Sequence, residues 1–543
     1  MKKPIKKLLS FMIALVVLTS VMGGSLQVFA AGGSLTASVI LENKYQVAQV
    51  AAKYAVFADK KDYDADTDYG VNVLAKGAKI VIVNSQGKKV QVSSKLGIDK
   101  IYNIPTANAY IRVGIGDKQG LLLSSGKLLD GKADYADSNG THAVIVKNGS
   151  ITVYDVSTGK SIYKKTVKGI TSANIQKFGD FLDITGEAKV APPPAPAVQD
   201  ASADTVYSIP ASPATKQVLH VILDKSNKVT SYKTVGRDNY RTIVFAATAS
   251  KVVVFDINGK QITSVAAKNV ASVAKEETPY KTTYTFNNDK WKKITSKSFT
   301  KKGKDIGVNG ITVDVKGDNE KYTVTVLGQN KQVITKLANV ASGYRTLVGS
   351  KGFVALAGTS GALIINSDTQ KLAATVKGSF SGSSLDVASY TGNVFWFAPV
   401  KKVVGENYTY YEGSDYEYYN SKGAKVPNSK NAVSIDDNYA RTPESAVINY
   451  SGKVLVTPPK GYRYRDLNAD VVAFGNDSEK YAFYDIKTGK QIVKPTGAVS
   501  WTIPGVNTIK YSPVEAGKDR YLLITSAKLK SGKLNYGLVY IHK

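Results

Sequence analysis

Short runs in which successive side chains fall on opposite faces, each ending in a turn, recur along the chain. The stretch YAFYDIKTGKQIV (481–493) has close copies at 151–162 and 252–262. This two-residue period is that of a β-strand. Each copy carries an aspartate just before the reversal, at Asp155, Asp256 and Asp485. Because a short carboxylate accepts turn N–H groups and the glycine that follows tolerates positive φ, the repeated unit is predicted to be a β-hairpin.

The hairpin signals are regularly spaced. Gly87, Gly126 and Gly159 lie 39 and 33 residues apart, whereas Gly423, Gly452 and Gly489 lie 29 and 37 residues apart. Periods of this size are typical of stacked units such as propeller blades. We therefore predict an all-β repeat protein, a β-propeller of about seven or eight blades. Helical periodicity is confined to short pieces such as 43–54, which is compatible with one short helix.

A proline-rich stretch interrupts the hairpins. Three consecutive prolines at 192–194 favour extended polyproline geometry and remove backbone donors. Residues 187–205 are therefore predicted to be a linker or an exposed insertion between a first group of hairpins (31–186) and a second group (206–543).

Residues 1–30 have the features of a secretory signal peptide. A lysine-rich start precedes the apolar run FMIALVVL (11–18), and Val28 and Ala30 place small residues before a cleavage site. A membrane anchor is the alternative, but a Gly23-Gly24 pair follows without a stop-transfer charge cluster. We expect a secreted or cell-wall-associated protein that does not span the membrane after cleavage. The absence of cysteine excludes disulfides and thiolate metal sites and fits a Gram-positive exported protein.

The chain is strongly basic. Its formal net charge is +29, and it remains +25 without the four lysines of residues 1–30. Outside a cell, such a charge attracts anionic partners, for which we expect teichoic acid, an acidic polysaccharide or an anionic membrane surface. The alternative is that the charge only keeps the protein soluble. Export and the lack of a nucleic-acid-binding motif argue against nucleic acid as a partner.

The hairpins resemble two bacterial repeat families. The order aromatic, Asp, turn, Gly, Lys resembles the repeats of quinoprotein-type β-propellers, and VINYSGKVLVTPP (447–459) is similar to tryptophan-glycine (WG) repeats. Quinoprotein-type repeats place a tryptophan shortly after Gly-Lys, where this chain has Tyr163, Thr263 and Val493, and the WG dipeptide does not occur. The resemblance therefore implies a fold, and neither a quinone cofactor nor a catalytic residue.

One acidic loop has the composition of a calcium site. In KDYDADTDYG (61–70) carboxylates alternate and end at a glycine, which resembles loops that converge on Ca²⁺. These candidate ligands are Asp62, Asp64, Asp66 and Asp68. The glycine and glutamate positions of an EF-hand loop are not matched, so a solvated acidic turn is the alternative.

Aromatic side chains supply the candidate ligand-binding residues. The stretch 406–423 is rich in tyrosine, which combines a flat apolar face with a polar tip and suits contact with sugar rings or a protein. The candidates are Tyr408, Tyr410, Tyr411, Tyr416, Tyr418 and Tyr419, together with Trp291, Trp396 and Trp501. Cross-strand pairing of these tyrosines on a sheet is the alternative. Trp291 stands in a lysine-rich run (289–307) that is either a solvated loop or an anion contact.

No catalytic constellation is recognisable in the sequence. The three histidines, His142, His220 and His542, are widely separated and lack metal-ligand spacing or a GxSxG elbow. We therefore expect a non-catalytic binding or scaffold protein of the cell envelope that contacts an anionic wall polymer, a glycan or another envelope protein. The alternatives are a polysaccharide-acting enzyme with a carboxylate pair and a self-assembling matrix component.

Overall fold

The structure is a computed structural model that carries side chains. The described residues are 34–51, 53–63, 71–102, 110–156, 158–190, 215–318, 321–341, 347–405, 409–413, 415–498, 501–502, 509–510 and 514–543. Within them the chain is all β, with two short 3-10 turns at Ser94–Leu96 and Gly303–Asp305. The predicted all-β repeat architecture is confirmed at this level. The predicted signal peptide lies outside the described residues.

Antiparallel meanders, numbered here from 1 to 12, follow one another along the described chain. The first strand, β1 (Thr36–Tyr45), belongs to the last meander. Meander 1 consists of β2 (Val47–Ala51), β3 (Tyr54–Ala58), β5 (Ile80–Val83) and β6 (Lys89–Gln91), with β4 (Val71–Val73) between β3 and β5 in the chain. Meander 2 consists of β7 (Lys100–Tyr102), β8 (Ile111–Ile115), β9 (Lys118–Leu122) and β10 (Leu128–Ala133), with β4 at its edge. Meander 3 consists of β11 (Tyr135–Ser138), β12 (His142–Lys147), β13 (Ser150–Asp155) and β14 (Ser161–Thr166).

The next five meanders occupy residues 172–376. Meander 4 has β15 (Ser172–Phe178), β16 (Phe181–Lys189) and β17 (Thr215–Leu223), and a bridge from Leu223 to Val229 begins its fourth strand. Meander 5 has β18 (Thr234–Arg237), β19 (Ile243–Ala247), β20 (Lys251–Asp256) and β21 (Gln261–Ala266). Meander 6 has β22 (Ser272–Thr278), β23 (Lys281–Asn287) and β24 (Lys293–Thr300). Meander 7 has β25 (Thr312–Lys316), β26 (Tyr322–Leu327) and β27 (Val333–Val340), and meander 8 has β28 (Leu347–Gly349), β29 (Phe353–Gly358), β30 (Gly361–Asn366) and β31 (Lys371–Val376).

The remaining strands complete meanders 9 to 12. Meander 9 has β32 (Phe380–Ser389), β33 (Val394–Pro399) and β36 (Glu417–Asn420), with the ribbon β34 (Lys401–Val404) and β35 (Thr409–Glu412) inserted. Meander 10 has β37 (Val433–Ser434), β38 (Tyr439–Arg441), β39 (Val447–Asn449) and β40 (Val454–Val456). Meander 11 has β41 (Arg463–Asn468), β42 (Val471–Gly475), β43 (Lys480–Asp485) and β44 (Gln491–Ala498), followed by the ribbon β45 (Trp501–Thr502) and β46 (Ile509–Lys510). Meander 12 has β47 (Val514–Gly517), β48 (Arg520–Lys528) and β49 (Leu534–His542), with β1 as its fourth strand.

A recurrent turn, which we call the outer hairpin, joins the third strand of a meander to the fourth. In meander 1 the Oδ1 atom of Asn84 accepts the N–H groups of Gln86 and Lys88, both at 3.0 Å. The residue before the lysine is left-handed, with Gly87 at φ 72°. Side-chain acceptance by Asn or Asp and a left-handed residue together reverse the chain within five residues.

The described chain contains more meanders than the glycine spacing marked, because several turns use another residue in the left-handed conformation. These residues are Asn227, Trp291, Lys331, Gln370 and Glu479. Asparagine adopts this conformation at modest cost, but the other four do so against their own preference. A propeller with about seven or eight blades stays a prediction.

Apolar clusters join consecutive meanders face to face. Ile82 of meander 1 packs with Ile101 and Val113 of meander 2, and the same relationship continues along the chain. The last meander also packs on the first, because Leu522 and Phe57 belong to one buried cluster. Apart from meanders 6 and 7, which share no apolar cluster in the described chain, each meander therefore packs apolar side chains against both of its neighbours.

Meanders 6 and 7 meet through polar contacts. The hydroxyl groups of Tyr280 and Thr312 lie 3.1 Å apart, and the N–H of Gly307 donates to the carbonyl of Pro279 at 2.7 Å. The lysine-rich run predicted as a loop or anion contact contributes β24 here, an exposed strand at the edge of meander 6.

The two ends of the described chain meet in one sheet. β1 pairs antiparallel with β49, with Thr36 opposite His542 and Val39 opposite Val539. In this way the N-terminal strand covers the edge of the C-terminal meander. Within the described residues, no sheet closes on itself.

Two local predictions can be placed on these strands. The helix-like stretch 43–54 is extended instead, because β2 and β3 form a hairpin in which Val47 pairs with Ala58. Residues 190–214, which include most of the predicted linker, stand in the chain between β16 and β17, and these two strands are neighbours in one sheet with Ile184 opposite Val221. The division into groups 31–186 and 206–543 stays a prediction.

Candidate binding face

The stretches that depart most from the hairpin repeat all occupy the same topological position. We call this position, between the second and third strands of a meander, the middle connection. The connections concerned are 59–79, 190–214, 288–292 and 400–416, in meanders 1, 4, 6 and 9 respectively. They contain the acidic loop (61–70), most of the proline-rich stretch (187–205), Trp291 and part of the tyrosine-rich stretch (406–423). In an antiparallel meander this connection is at the end opposite to the first and third turns.

Contacts between neighbours place the first and third turns of consecutive meanders at a shared end. The Tyr110 hydroxyl, in the first turn of meander 2, donates to the carbonyl of Val156 in the outer hairpin of meander 3 at 3.1 Å. The N–H of Gln329, in the last turn of meander 7, donates to Oε1 of Gln370 in the outer hairpin of meander 8 at 2.9 Å. We call this the hairpin end. The middle connections therefore belong to the opposite, insertion end.

The acidic stretch is only partly described. Asp62 follows β3, and its backbone N–H donates to the carbonyl of Val73 at 2.9 Å. Its neighbour Tyr63 receives Nζ of Lys533, 3.7 Å from the ring centroid, from the middle connection of meander 12. Asp64, Asp66 and Asp68 lie outside the described residues. Within the described part of the chain, no group of three His, Cys, Asp or Glu side chains could hold a metal ion.

Trp291 is more exposed than Trp396, which is half-buried. The Trp291 side chain is 71% exposed, and its φ of 59° is left-handed. The Asn288 side chain holds the turn by accepting the N–H groups of Lys290 and Lys292 at 3.0 and 2.9 Å. A bulky residue in the left-handed conformation is strained, so this turn displays an indole to solvent at a conformational cost.

The tyrosine-rich stretch builds an aromatic cluster between meanders 9 and 10, formed by Trp396, Tyr416, Tyr418 and Tyr450. Trp396 and Tyr416 meet edge to face with ring centroids 4.8 Å apart, and Tyr418 lies 5.8 Å from Tyr450. Strand pairing sets this arrangement, because Trp396 on β33 is directly opposite Tyr418 on β36. Such pairs stabilise a sheet beyond the area that they bury.

The members of the aromatic cluster differ in access to solvent. Tyr418 is buried, with 2% exposure, and its hydroxyl donates to the carbonyl of Ala432 at 2.6 Å. Burial raises the pKa of Tyr418 well above its ordinary value and that of Tyr450 to about 12. Trp396, Tyr416 and Tyr450 are half-buried. Tyr418 therefore supports the cluster from within, and its half-buried neighbours present its accessible edges.

The other predicted aromatic residues lie around this cluster or elsewhere. Tyr410 and Tyr411 are on the β34–β35 ribbon, opposite Val403 and Lys402, and Tyr410 is 44% exposed. Tyr419 packs against Phe397, with ring centroids 5.3 Å apart. Trp501 begins β45, after meander 11. Tyr408 lies outside the described residues.

A surface pocket of about 470 Å³ adjoins the aromatic cluster. Asn431 connects the two, because it lines the pocket and its Oδ1 accepts the N–H of Tyr416 at 2.9 Å. The pocket is lined by Asn428, Lys430, Asn431, Thr442, Pro443, Glu444, Ala446 and Val454. Amide, hydroxyl and charged groups beside aromatic rings can donate and accept hydrogen bonds to a ligand rich in hydroxyl groups.

Sequence reasoning missed the polar half of this pocket. Its signal was the stretch PNSKN (427–431), in which Asn428 and Asn431 adopt left-handed φ values of 57° and 54°. Asp415, just before Tyr416, accepts from Nδ2 of Asn431 at 2.7 Å and pairs with Lys430 at 2.9 Å. These bonds fix the loop that joins the aromatic cluster to the pocket.

The histidines occupy separate places. Nε2 of His220 lies 2.7 Å from Oδ1 of Asp183 on the neighbouring strand, and the ring of His542 stacks on Tyr540. Burial lowers the pKa of His142. Among the described residues there is no helix with the length and apolar character that crossing a membrane requires.

Comparisons with known proteins give no family. No sequence profile of a protein family matches the chain, and no curated protein matches it. Among solved structures, one titled "Crystal structure of the eukaryotic initiation factor" is similar at 9% sequence identity and a TM-score of 0.18. That comparison covers 58% of this chain and 94% of the other.

Proposed function

We propose that this is an exported, non-catalytic binding or scaffold protein of the bacterial cell envelope, attracted to anionic polymer by its positive charge. Its partner is an anionic wall polymer or glycan, and its insertion end docks a glycan or an envelope protein. The observation that carries the proposal is the placement of the acidic, proline-rich, Trp291 and tyrosine-rich stretches in the middle connections of a regular scaffold. Binding loops are typically placed on a rigid repeat in this way.

In this proposal the meanders are the blades of a β-propeller. Support comes from the packing of consecutive meanders and from the cluster that joins the last meander to the first. The pairing of β1 with β49 would then fasten the last blade with the N-terminal strand. Propellers present loops at their two ends, which suits a binding role.

The charge supports an anionic partner. After removal of residues 1–30 the chain has a net charge of +25. This charge attracts the protein over a long range to the phosphate and carboxylate groups of the wall. Leader-like composition at residues 1–30 and the lack of cysteine support export.

The test is sedimentation of the mature chain with purified Gram-positive cell walls. One sample retains its teichoic acid, and a matched sample is stripped of it by acid extraction. We expect binding to the intact walls at low salt, weaker binding to the stripped walls, and release as the salt rises toward about 0.5 M, because screening shortens the reach of charge. Absence of binding to either sample at low salt would contradict the proposal.

A further inference from the structure

The outer hairpins carry a lysine at one fixed position. It directly follows the left-handed residue and is the first residue after the turn. It occurs in eight of the described outer hairpins, at Lys88, Lys127, Lys160, Lys228, Lys260, Lys371, Lys453 and Lys490. Each of these lysines is exposed. The left-handed residue that precedes them varies from glycine to Asn227 and Gln370, whereas the lysine recurs.

The hydrogen bonds of the turn do not require lysine at this position, although the same turn in three described middle connections also ends in lysine, at Lys292, Lys480 and Lys533. The hairpin uses only the main chain there, since the N–H of Asn84 donates to the carbonyl of Lys88 at 3.1 Å, and that of Asp256 donates to the carbonyl of Lys260 at 2.9 Å. In meander 9 Ala424 occupies the same position with the same bond, at 2.9 Å from the N–H of Asn420. The backbone therefore accepts any residue, and the ammonium group is available for another purpose.

Contacts between meanders place these lysines along one edge of the hairpin end. A methyl group added to Gly126 would lie 3.1 Å from Cγ1 of Val90, which is two residues past Lys88. A methyl group at Gly489 would likewise lie 2.9 Å from the carbonyl of Leu455, two residues past Lys453. These outer hairpins thus sit beside the start of the preceding fourth strand. Where two consecutive meanders both carry the lysine, the two lysines follow each other at the separation of packed sheets, about 10 Å.

The hairpin carboxylates do not cancel this row of charges. Oδ1 of Asp224 accepts the N–H groups of Ser226 and Lys228 at 2.8 and 3.1 Å, and that of Asp256 accepts the N–H of Lys260 at 2.9 Å. Hydrogen bonds, led by the one from Ser226, also lower the pKa of Asp224. These oxygens bond within their turns, and among the described contacts none of the eight hairpin lysines forms an ion pair.

We propose that the hairpin lysines form an extended contact surface for a linear polyanion, specifically a phosphodiester chain of the teichoic acid type. This rests on the proposed attraction to anionic polymer and assigns it to the hairpin end, opposite to the insertion end at which a glycan or an envelope protein is proposed to dock. A row of point charges matches a chain that carries one negative charge per repeat, because several weak contacts then act together. A single phosphate ion would gain only one such contact.

The structure offers a matched pair of variants. In the first, Lys88, Lys160, Lys228 and Lys260 become Gln. In the second, the four exposed lysines Lys95, Lys168, Lys233 and Lys268 become Gln. The second set lies in the same four meanders, in the connections that lead to the next meander at the insertion end. Both variants lose four positive charges, and within the described contacts none of these eight side chains forms an ion pair.

The probe is purified poly(glycerol phosphate), with monomeric glycerol phosphate as the single-site control and hyaluronate as a carboxylate polymer. Binding is measured against salt concentration. We expect the hairpin variant to bind the polymer at least about 10-fold more weakly. The slope of log affinity against log salt should be smaller in magnitude by about three, since each lost contact means one counterion fewer released on binding. The control variant should retain most of the affinity, and the monomer should bind weakly to every form.

The outcomes separate the two proposals. If the wild-type chain ignores poly(glycerol phosphate) and walls alike, the proposed function fails. If the wild-type chain binds and both variants weaken equally, attraction depends on total charge alone, and the hairpin surface is overturned. Stronger binding of hyaluronate than of the phosphate polymer would overturn the assignment of a phosphodiester.

Lysines at exposed strand edges also discourage aggregation, so their replacement affects more than polymer binding. A second measurement therefore uses no variant. Wild-type protein is acetylated with and without poly(glycerol phosphate), and the modified lysines are identified by mass spectrometry. We expect the polymer to protect the hairpin lysines and to leave Lys95, Lys168, Lys233 and Lys268 reactive. Equal protection of the two sets would overturn the inference.

Discussion

A single carboxylate can act both within its own hairpin and between distant parts of the chain, as Asp485 does. Oδ1 of Asp485 accepts the N–H groups of Lys487 and Thr488 at 2.9 and 3.3 Å, which shapes the outer hairpin of meander 11. Oδ2 accepts the N–H of Leu35 at 3.1 Å, just before β1. Asp485 is 2% exposed, so both sets of bonds are protected from water. The same sequence motif thus stabilises a turn and anchors the N-terminal strand.

Replacement of Asp485 by Asn separates these two roles. Asn retains an acceptor for the turn but offers an amide group of the wrong polarity to the N–H of Leu35. We expect a loss of about 1.5–3 kcal/mol in the free energy of unfolding, the usual range for a buried bond to a charged group. Denaturant unfolding followed by circular dichroism measures the loss.

Asp256→Asn is the matched control for Asp485→Asn. Asp256 has the same place in its hairpin, where Oδ1 accepts the N–H groups of Asn258 and Lys260, both at 2.9 Å. Asn84 already performs this role in meander 1. We expect a change below about 0.5 kcal/mol for this exposed turn. Equal losses in the two variants would refute the anchoring role of Asp485.

At the scale of the element, the five-residue turn depends on its left-handed residue in two different ways, as shown by Gly452 in the outer hairpin of meander 10 and Gly532 in the middle connection of meander 12. Gly452 and Gly532 have nearly the same φ, 83° and 82°. A methyl group at Gly452 would lie 2.5 Å from the carbonyl oxygen of Pro427, whereas one at Gly532 would meet nothing within 4 Å. Gly532 thus serves only its turn, but Gly452 also allows meanders 9 and 10 to approach each other.

Alanine at these two positions measures the difference. Both variants carry the cost of a side chain at positive φ, about 1–2 kcal/mol. Gly452→Ala must in addition displace a backbone carbonyl of the neighbouring meander, for which we expect a further loss of about 1–3 kcal/mol, typical of overpacking. Thermal unfolding of the two variants side by side tests this, and a Gly532→Ala loss as large as that of Gly452→Ala would contradict it.

The repeat element could be predicted from sequence because its causes are local. Alternation and the Asp or Asn before the reversal are visible in neighbouring residues, and they correctly gave hairpins. Glycine proved an incomplete marker, since Trp291 and Gln370 adopt left-handed conformations that their own preferences oppose. The stretch 43–54 has apolar spacings that suit either a helix or a hairpin, and the packing that favours the strand comes from other parts of the chain. Val47 and Tyr54 pack against meander 2, and the hairpin partner Phe57 packs against the last meander.

The candidate binding face was predictable in part for the same reason. Composition marked the tyrosine-rich stretch, and alternation placed Tyr416 and Tyr418 on one face. It did not reveal that meander 10 covers Tyr418, because Ala432 and Tyr450 come from a later part of the chain. The common topological position of the acidic, proline-rich and tyrosine-rich stretches became visible only when each strand had been assigned its place in a meander.

At the scale of the whole molecule, the N-terminal strand is the element on which the two chain ends depend. β1 (Thr36–Tyr45) pairs with β49 along its length. Leu41, at 4% exposure, packs in the cluster that includes Phe57 of meander 1 and Leu522 of meander 12. Leu35 is also buried, at 6% exposure, on the side of meander 11. A segment of about a dozen residues thus contacts meander 1 and also meanders 11 and 12, which lie hundreds of residues further along the chain.

Deletion of residues 34–45 should therefore destabilise both chain ends together. Removal exposes the backbone edge of β49 and the apolar sites of Leu35 and Leu41, for which we expect a clear fall in melting temperature and concentration-dependent association through the open edge. Calorimetry and light scattering measure the two effects. An unchanged melting temperature would show that β1 contributes nothing to the closure of the chain.

Addition of a synthetic peptide of residues 34–45 provides the decisive step. A peptide that pairs with the open edge of β49 should restore the melting temperature and suppress association, as strand addition does at other free sheet edges. A peptide with Leu41→Asp is the matched control, because it retains the backbone donors and acceptors but would bury an unpaired carboxylate among Phe57 and Leu522. Rescue by the first peptide alone would establish that side-chain packing selects this strand, whereas rescue by both would indicate that any edge-pairing segment suffices.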